Sequence, residues 1–160
     1  LMKGSIQVES QPQSGSRFTV VIPVNPTEET IPESGQISDQ PEAKFPAATI
    51  LLADDYLWNR ALIKAYLSDL PFTIVEADNG MQAIELTKEI KPNLVLMDMK
   101  MPVLDGVEAA RQIRSHDPVP IIAITATSEE KKKFLTVCDE VLVKPITKKD
   151  LISCLARFLS

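Results

Sequence analysis

The sequence predicts an α/β domain over residues 48–160, a doubly wound five-stranded parallel sheet, with a β-hairpin ahead of it. Three observations predict it. Short apolar runs suited to strands buried on both faces recur from Thr49 onward, segments of helical periodicity separate them, and polar residues follow the runs at one common edge. The clearest run, Leu94 to Met97, stops at Asp98, and Pro102 and Asp105-Gly106 turn the chain before a helix expected from about Val107.

In chain order, Ser5 to Ser10 and Arg17 to Ile22 alternate apolar and polar residues around QPQSGS, a hairpin signal. Two strands alone are marginally stable, so a larger sheet is expected to complete them. The pattern of Gly4-Ser5-Ile6, Val8, Ser10, Gly15-Ser16, Phe18 and Pro23 resembles the closing hairpin of the ATP-binding domain of sensor histidine kinases. Residues 1–24 are therefore expected to end such a domain. The nucleotide-binding boxes of that family would lie upstream, and no ATP site carries over. The start at Leu1, with no signal peptide, is read as that of a fragment whose parent protein could carry an anchor further upstream. Residues 25–47 hold Pro26, Pro32, Pro41 and Pro46 among Glu, Ser and Gln, with too few large apolar groups to offset the entropy of ordering. They are expected to form a flexible linker.

The five strands are expected at Thr49 to Ala53, Thr73 to Ala77, Leu94 to Met97, Ile121 to Thr125 and Val141 to Val143. The first helix, about Trp58 to Leu70, is expected to present Leu62, Ala65, Tyr66 and Leu70 to the sheet. Asn79-Gly80 starts a second, whose face is Ala83, Ile84, Thr87 and Ile90, with Pro92 just past its end. Shorter helices are expected near Val107 to Arg114 and Ser128 to Val137. The last is the best marked: Thr147 and Asp150 form a capping-box variant, Ile146 can staple onto Leu151, and Leu151, Leu155 and Leu159 share a face.

Bulk properties exclude several classes. The net charge of −5 and the lack of a basic patch interleaved with aromatics argue against a nucleic-acid partner, and no apolar run is long enough for a membrane contact by spanning. Cys138 and Cys154 have neither metal-ligand nor redox spacing and read as free thiols of a reducing, cytoplasmic compartment. Lys131 to Lys133 read as a solvated helix face, and His116, in a turn-like SHDPVP context, does not read as a phosphohistidine.

Ligands of open parallel sheets bind beyond the carboxyl ends of the strands. There the sequence places Asp54 and Asp55, Asp98, Thr125 and Lys144. Three clustered carboxylates call for a cation, and hard oxygen ligands without His or Cys point to Mg²⁺. Lys144 and Thr125 suit the oxygens of a phosphoryl group. Phosphoryl transfer, which asks mainly for positioning and charge neutralisation, is the chemistry this set serves.

Together Asp54-Asp55, the MDMKMPVLDG around Asp98, the ITA of Ile124 to Ala126 and the KPI of Lys144 to Ile146 resemble the receiver domain of two-component response regulators, which implies a flavodoxin-like fold of strand order 2-1-3-4-5. Asn59-Arg60 and the DNGMQAI of Asp78 to Ile84 are similar in particular to receivers attached to hybrid histidine kinases. The resemblance implies that Asp98 accepts a phosphoryl group from a phosphohistidine. Asp55, Asp98 and the Lys100 backbone carbonyl, helped by Asp54, would hold Mg²⁺; Thr125 and Lys144 would contact the phosphoryl oxygens and shift when it arrives. Pro145 is a candidate for a cis peptide bond. The implied partners are the phosphohistidine domain of a histidine kinase, in the same or a partner chain, and a histidine phosphotransfer protein. Lys100 and Thr127, two positions beyond Asp98 and Thr125, are expected to tune the acyl-phosphate lifetime in a direction the sequence leaves open. The resemblance departs at Val141, where many receivers carry a switching aromatic, and in the fourth helix and the Thr136 to Asp139 turn after it. A non-phosphorylated docking module is the alternative; a phosphatase acting on an outside substrate lacks a general acid.

Overall fold

The computed structural model of the protein describes residues 5–11, 15–21 and 45–159, in two units divided after Gln40. In the first, β1 (Ser5–Gln11) pairs antiparallel with β2 (Gly15–Val21), Ser5 opposite Val21 and Gln11 opposite Gly15. Ile6 and Val8 alternate onto one face, Val20 stands opposite Ile6, and all three are exposed. Apart from residues 45–47, the linker expected over 25–47 lies outside the described residues, as do the hairpin loop at 12–14 and residues 22–24.

The second unit runs β3 (Ala48–Ala53), α1 (Leu57–Leu67), β4 (Phe72–Ala77), α2 (Gly80–Ile90), β5 (Leu94–Asp98), α3 (Gly106–Arg114), β6 (Ile121–Thr125), α4 (Lys131–Phe134), β7 (Glu140–Val143) and α5 (Lys148–Leu159). Its five strands are parallel in the order β4-β3-β5-β6-β7, the flavodoxin-like order 2-1-3-4-5. Every residue of β5 and β6 is buried, which is why both read as unbroken apolar runs. Alternation along the strands builds two cores. Ile50, Leu52, Leu94, Leu96, Ile122 and Ile124 face Ile63 and Leu67 of α1 and Leu151 and Leu155 of α5. On the other side Leu51, Val95, Met97, Ile121 and Ala123 pack with Ala83, Ala109, Ile113 and Phe134 of α2, α3 and α4.

Local chemistry sets the boundaries. Asn79 caps α2 by accepting from the Gln82 amide at 2.9 Å, and Lys91 ends it in a left-handed conformation. Asp105 caps α3 through the Glu108 amide at 2.9 Å, and the Thr147 hydroxyl accepts from the Asp150 amide at 3.1 Å to open α5. Two expectations need correction. The face of α1 that meets the sheet is Ile63 and Leu67; Tyr66 and Leu70 flank it, while Leu62 and Ala65 point to solvent. The phase is set by polar ties at the start of the helix, where Asn59 and Arg60 bind Asp54, so residues 59, 63, 66, 67 and 70 form the inward stripe. The fourth helix is only Lys131–Phe134 with turns on both sides, because Phe134 is its one buried anchor. Among the described residues no helix is long and apolar enough to cross a membrane.

Candidate functional site

The carboxyl ends of the central strands bring the polar residues together. Asp54 and Asp55 follow β3, Asp98 ends β5, Thr125 ends β6 and Lys144 follows β7. One carboxylate oxygen each of Asp54, Asp55 and Asp98 lies within 4.8 Å of the others. Asp54 and Asp98 are buried and Asp55 is exposed, so the cluster has an inner wall and an open side. The Lys144 ammonium is 2.6 Å from Asp98 Oδ2 and 3.1 Å from Asp54 Oδ2. The Lys144 amide donates to the Thr125 carbonyl at 2.7 Å, which ties the lysine to the end of β6, and the Lys144–Pro145 bond is cis.

Each carboxylate is held by donors the fold supplies. Asp98 Oδ1 accepts from the Lys100 amide at 3.0 Å. Asp54 Oδ1 accepts from the Tyr56 amide at 2.8 Å, and the Asn59 side-chain amide reaches both Asp54 oxygens at 3.0 Å. Arg60 donates to the Asp54 carbonyl at 2.6 Å and pairs with Glu76 at 2.9 Å. The loop between β5 and α3 is pressed in by two glycines. A Cβ on Gly106 would stand 2.1 Å from the Asp98 carbonyl oxygen, and one on Gly80 would stand 2.4 Å from that of Leu104.

Three carboxylates facing one ammonium leave two negative charges uncompensated, a deficit that a divalent cation with oxygen preference matches. The same imbalance shapes both partners of the Asp98–Lys144 pair. Burial pushes the Asp98 carboxyl up from the ordinary carboxylate range, and the Asp54 charge adds to it, against the downward pull of the Lys100 amide and Lys144. Burial by itself would lower the Lys144 ammonium, but hydrogen bonds and charge from Asp98 and Asp54 outweigh it and hold the lysine above its usual value.

An acid raised on folding binds more protons folded than unfolded. Its ionisation therefore costs stability as the pH climbs from the unfolded carboxyl value through the raised folded one. With a metal chelator present at pH 7, Asp98→Asn is expected to be more stable than the parent by about 1 kcal/mol or more, and the gain is expected to vanish at low pH. Thermal melts at a series of pH values measure this.

Thr125 is buried, and its hydroxyl accepts from the Thr127 amide at 3.3 Å, which leaves its own proton to be donated. Lys100 meets Asp98 through its amide, while its ammonium turns to Glu130 at 3.9 Å. Val141 is buried in the core cluster that contains Phe134, Met99 and Met101. His116 sits in the turn after α3, at the opposite edge of the sheet from the site, and Lys131 to Lys133 are exposed. Cys138 and Cys154 are free and buried, and burial pushes the Cys138 thiol up to about 12. Sequence reasoning missed the grip of Asn59 on Asp54 and the place of Glu130. Beside the site, Tyr56, Leu57, Trp58 and Leu62 are large apolar residues left exposed. A pocket of about 460 Å³ under Leu62 and Tyr66 shares Asp54 and Lys144 with the acidic cluster.

The family model described as the response regulator receiver domain matches residues 50–156. The sensor protein EvgS of Escherichia coli is 33% identical over 150 residues, which cover 91% of this chain and 12% of that protein. The transcriptional regulatory protein SrrA of Staphylococcus aureus is 37% identical over 106 residues, 64% of this chain and 44% of that protein. This chain thus spans less than half the length of either relative. Among solved structures, the receiver domain of sensor histidine kinase PA1611 from Pseudomonas aeruginosa, which has a magnesium ion coordinated in its active site cleft, is 32% identical. It aligns at a TM-score of 0.66, over 71% of this chain and 98% of that one. The Saccharomyces cerevisiae receiver of Ssk1, solved with the histidine phosphotransfer protein Ypd1, is similar at 31% identity and a TM-score of 0.67, over 71% of this chain and 90% of that one.

Proposed function

This chain belongs to the response regulator receiver domain family, and from that premise we propose that Asp98 is where it accepts a phosphoryl group, delivered by a phosphohistidine. The observation that carries the assignment is the position of Asp98, at the end of the buried β5, hydrogen-bonded to Lys144 and Lys100 and clustered with two further carboxylates. Asp98, Asp55 and the Lys100 carbonyl, with Asp54, would hold Mg²⁺, and the two uncompensated charges of the cluster fit that ion. Bound there, it would offset charge on the phosphoryl oxygens.

An Asp98 oxygen attacks phosphorus in line with the P–N bond, which breaks as the new P–O bond forms. The imidazole leaves neutral, keeping the proton on its other nitrogen. The Lys144 ammonium, already on Asp98, moves with the charge to the phosphoryl oxygens, and the Thr125 hydroxyl donates to one of them. A later attack by water returns Asp98 to a carboxylate. The docking-only reading is not favoured, because Asp54, Asp55, Asp98 and Lys144 lie together at the carboxyl ends of the strands.

We place the domain in a hybrid histidine kinase of the cytoplasm, whose parent could be membrane-anchored upstream. The similarity to a sensor protein over 91% of this chain, more than residues 48–160 amount to, and the uncovered apolar face of the hairpin support reading residues 1–24 as the end of a kinase ATP-binding domain. For partners we infer the phosphohistidine domain of a kinase and a histidine phosphotransfer protein. A phosphohistidine can reach Asp98 only if its own protein covers the rim of the site, where the exposed Tyr56, Leu57, Trp58 and Leu62 offer an apolar surface.

The test is direct. Incubated with Mg²⁺ and phosphoramidate, the domain is expected to form an acid-stable, hydroxylamine-labile adduct that is lost in Asp98→Asn and in the presence of a chelator. Folded wild-type protein that forms no adduct would overturn the reading.

A further inference from the structure

The side chains of Lys100 and Thr127, on the loops after β5 and β6, converge on one atom. Glu130 Oε2 lies 3.4 Å from the Thr127 hydroxyl, which donates to it, and 3.9 Å from the Lys100 ammonium. The other Glu130 oxygen is 3.9 Å from Lys133. Each tied residue is in turn bonded to a site group: the Lys100 amide to Asp98 Oδ1 at 3.0 Å, the Thr127 amide to the Thr125 hydroxyl at 3.3 Å. One carboxylate in the turn before α4 therefore holds both loops that rim the acidic cluster. Neither Glu129 nor any lysine of α4 makes such a bridge among the described residues.

We propose that Glu130 is a positioning residue that shortens the life of the Asp98 acyl phosphate by drawing the Lys100 ammonium aside from the path of the attacking water. The proposal rests on Asp98 being the phosphoacceptor. In hydrolysis a water oxygen bonds to phosphorus as the bond from phosphorus to the Asp98 oxygen breaks. The products are the Asp98 carboxylate, hydrogen phosphate and a proton released to solvent. Asp98 is only 7% exposed, and these two loops form part of the rim past which water must come.

Without the Glu130 charge, the dianionic phosphoryl group becomes the strongest anion within reach of Lys100. The phosphoryl charge would already be met by Lys144 and by the cation the cluster would hold, so a further ammonium laid over those oxygens adds little to their neutralisation and stands where water must approach. Its main effect is to obstruct water. The bridge keeps that ammonium on the carboxylate and leaves the path open.

The experiment labels the wild type, Glu130→Gln, Lys100→Ala and the double variant with phosphoramidate and Mg²⁺, removes the donor and follows the adduct. Glu130→Gln is expected to lengthen the half-life about two- to fivefold, the range open to an exposed ion pair. In a Lys100→Ala background the same substitution is expected to change nothing, whereas Lys100→Arg keeps the response. A half-life in Glu130→Gln that is unchanged or shortened, or that lengthens equally without Lys100, overturns the proposal. Failure of the wild type to form an adduct instead overturns the assignment of Asp98, and this inference falls with it.

Discussion

Gly106→Ala is expected to cost the domain its folded site rather than merely weaken it. The added methyl would meet the Asp98 carbonyl oxygen at 2.1 Å and the Met99 Cα at 2.8 Å. Both belong to the backbone that places the proposed nucleophile, so no side chain can swing away to relieve the clash. Gly106 also donates its amide to the Met99 carbonyl at 3.2 Å, which fixes α3 against the end of β5. Separating them means pulling Asp98 out of register with Ile124 on β6. Overpacking of this kind at a backbone contact is expected to cost on the order of 3 kcal/mol or more. For a domain whose whole stability is about 5–15 kcal/mol, that lowers the melting point by roughly 15 °C and removes phosphorylation with it. Thermal circular dichroism together with adduct formation measures both. A variant that melts like the parent would show that the loop can yield.

The second large effect is expected from Lys144→Ala. Lys144 is the cation shared by two buried carboxylates, and removing one partner of such a pair leaves charge in low dielectric with nothing to answer it. In a chelator the variant is expected to lose about 2–4 kcal/mol, somewhat less than the roughly 3–5 kcal/mol of fully buried pairs, because the lysine is itself partly solvated. Added Mg²⁺ is then expected to restore most of the loss and to raise the melting point more than it does in the wild type, since a metal at this site no longer competes with the ammonium. Phosphorylation of Asp98 is expected to persist while the accompanying shift at Thr125 disappears, which amide chemical shifts before and after labelling would reveal. Equal stabilisation of variant and wild type by Mg²⁺ would refute the charge argument.

Legibility in the sequence varied with the kind of force that places each part. The central strands were readable because burial on both faces leaves only apolar residues in Leu94 to Met97 and Ile121 to Ile124. The polar groups at their ends were readable because Asp54, Asp98, Thr125 and Lys144 all break off apolar runs at the same edge of one sheet, a coincidence that no single cap or strand end explains. The face of α1 was not. Leu62 and Ile63 stand side by side, as do Tyr66 and Leu67, so periodicity alone leaves the helix free to turn by one residue. Hydrogen bonds from Asn59 and Arg60 to Asp54 choose the phase, and those are tertiary. Helix α4 read too long because TSEEKKKFLTV favours helix locally, whereas only Phe134 finds a place in the core. Glu129 and Glu130 are indistinguishable as letters; the path of the loop alone separates the one that bridges from the one that does not.

The two cores on either side of the sheet carry a consequence for how such a domain can change over time. Residues beneath α1 and α5 belong to one cluster, those beneath α2, α3 and α4 to the other, and no side chain is common to both. Substitutions that reshape the rim around Trp58 therefore leave the packing beneath Phe134 and Glu130 undisturbed, and their effects should combine additively. A lineage can accept a new phosphoryl donor without altering how long the message lasts, or reset that clock while keeping its donor.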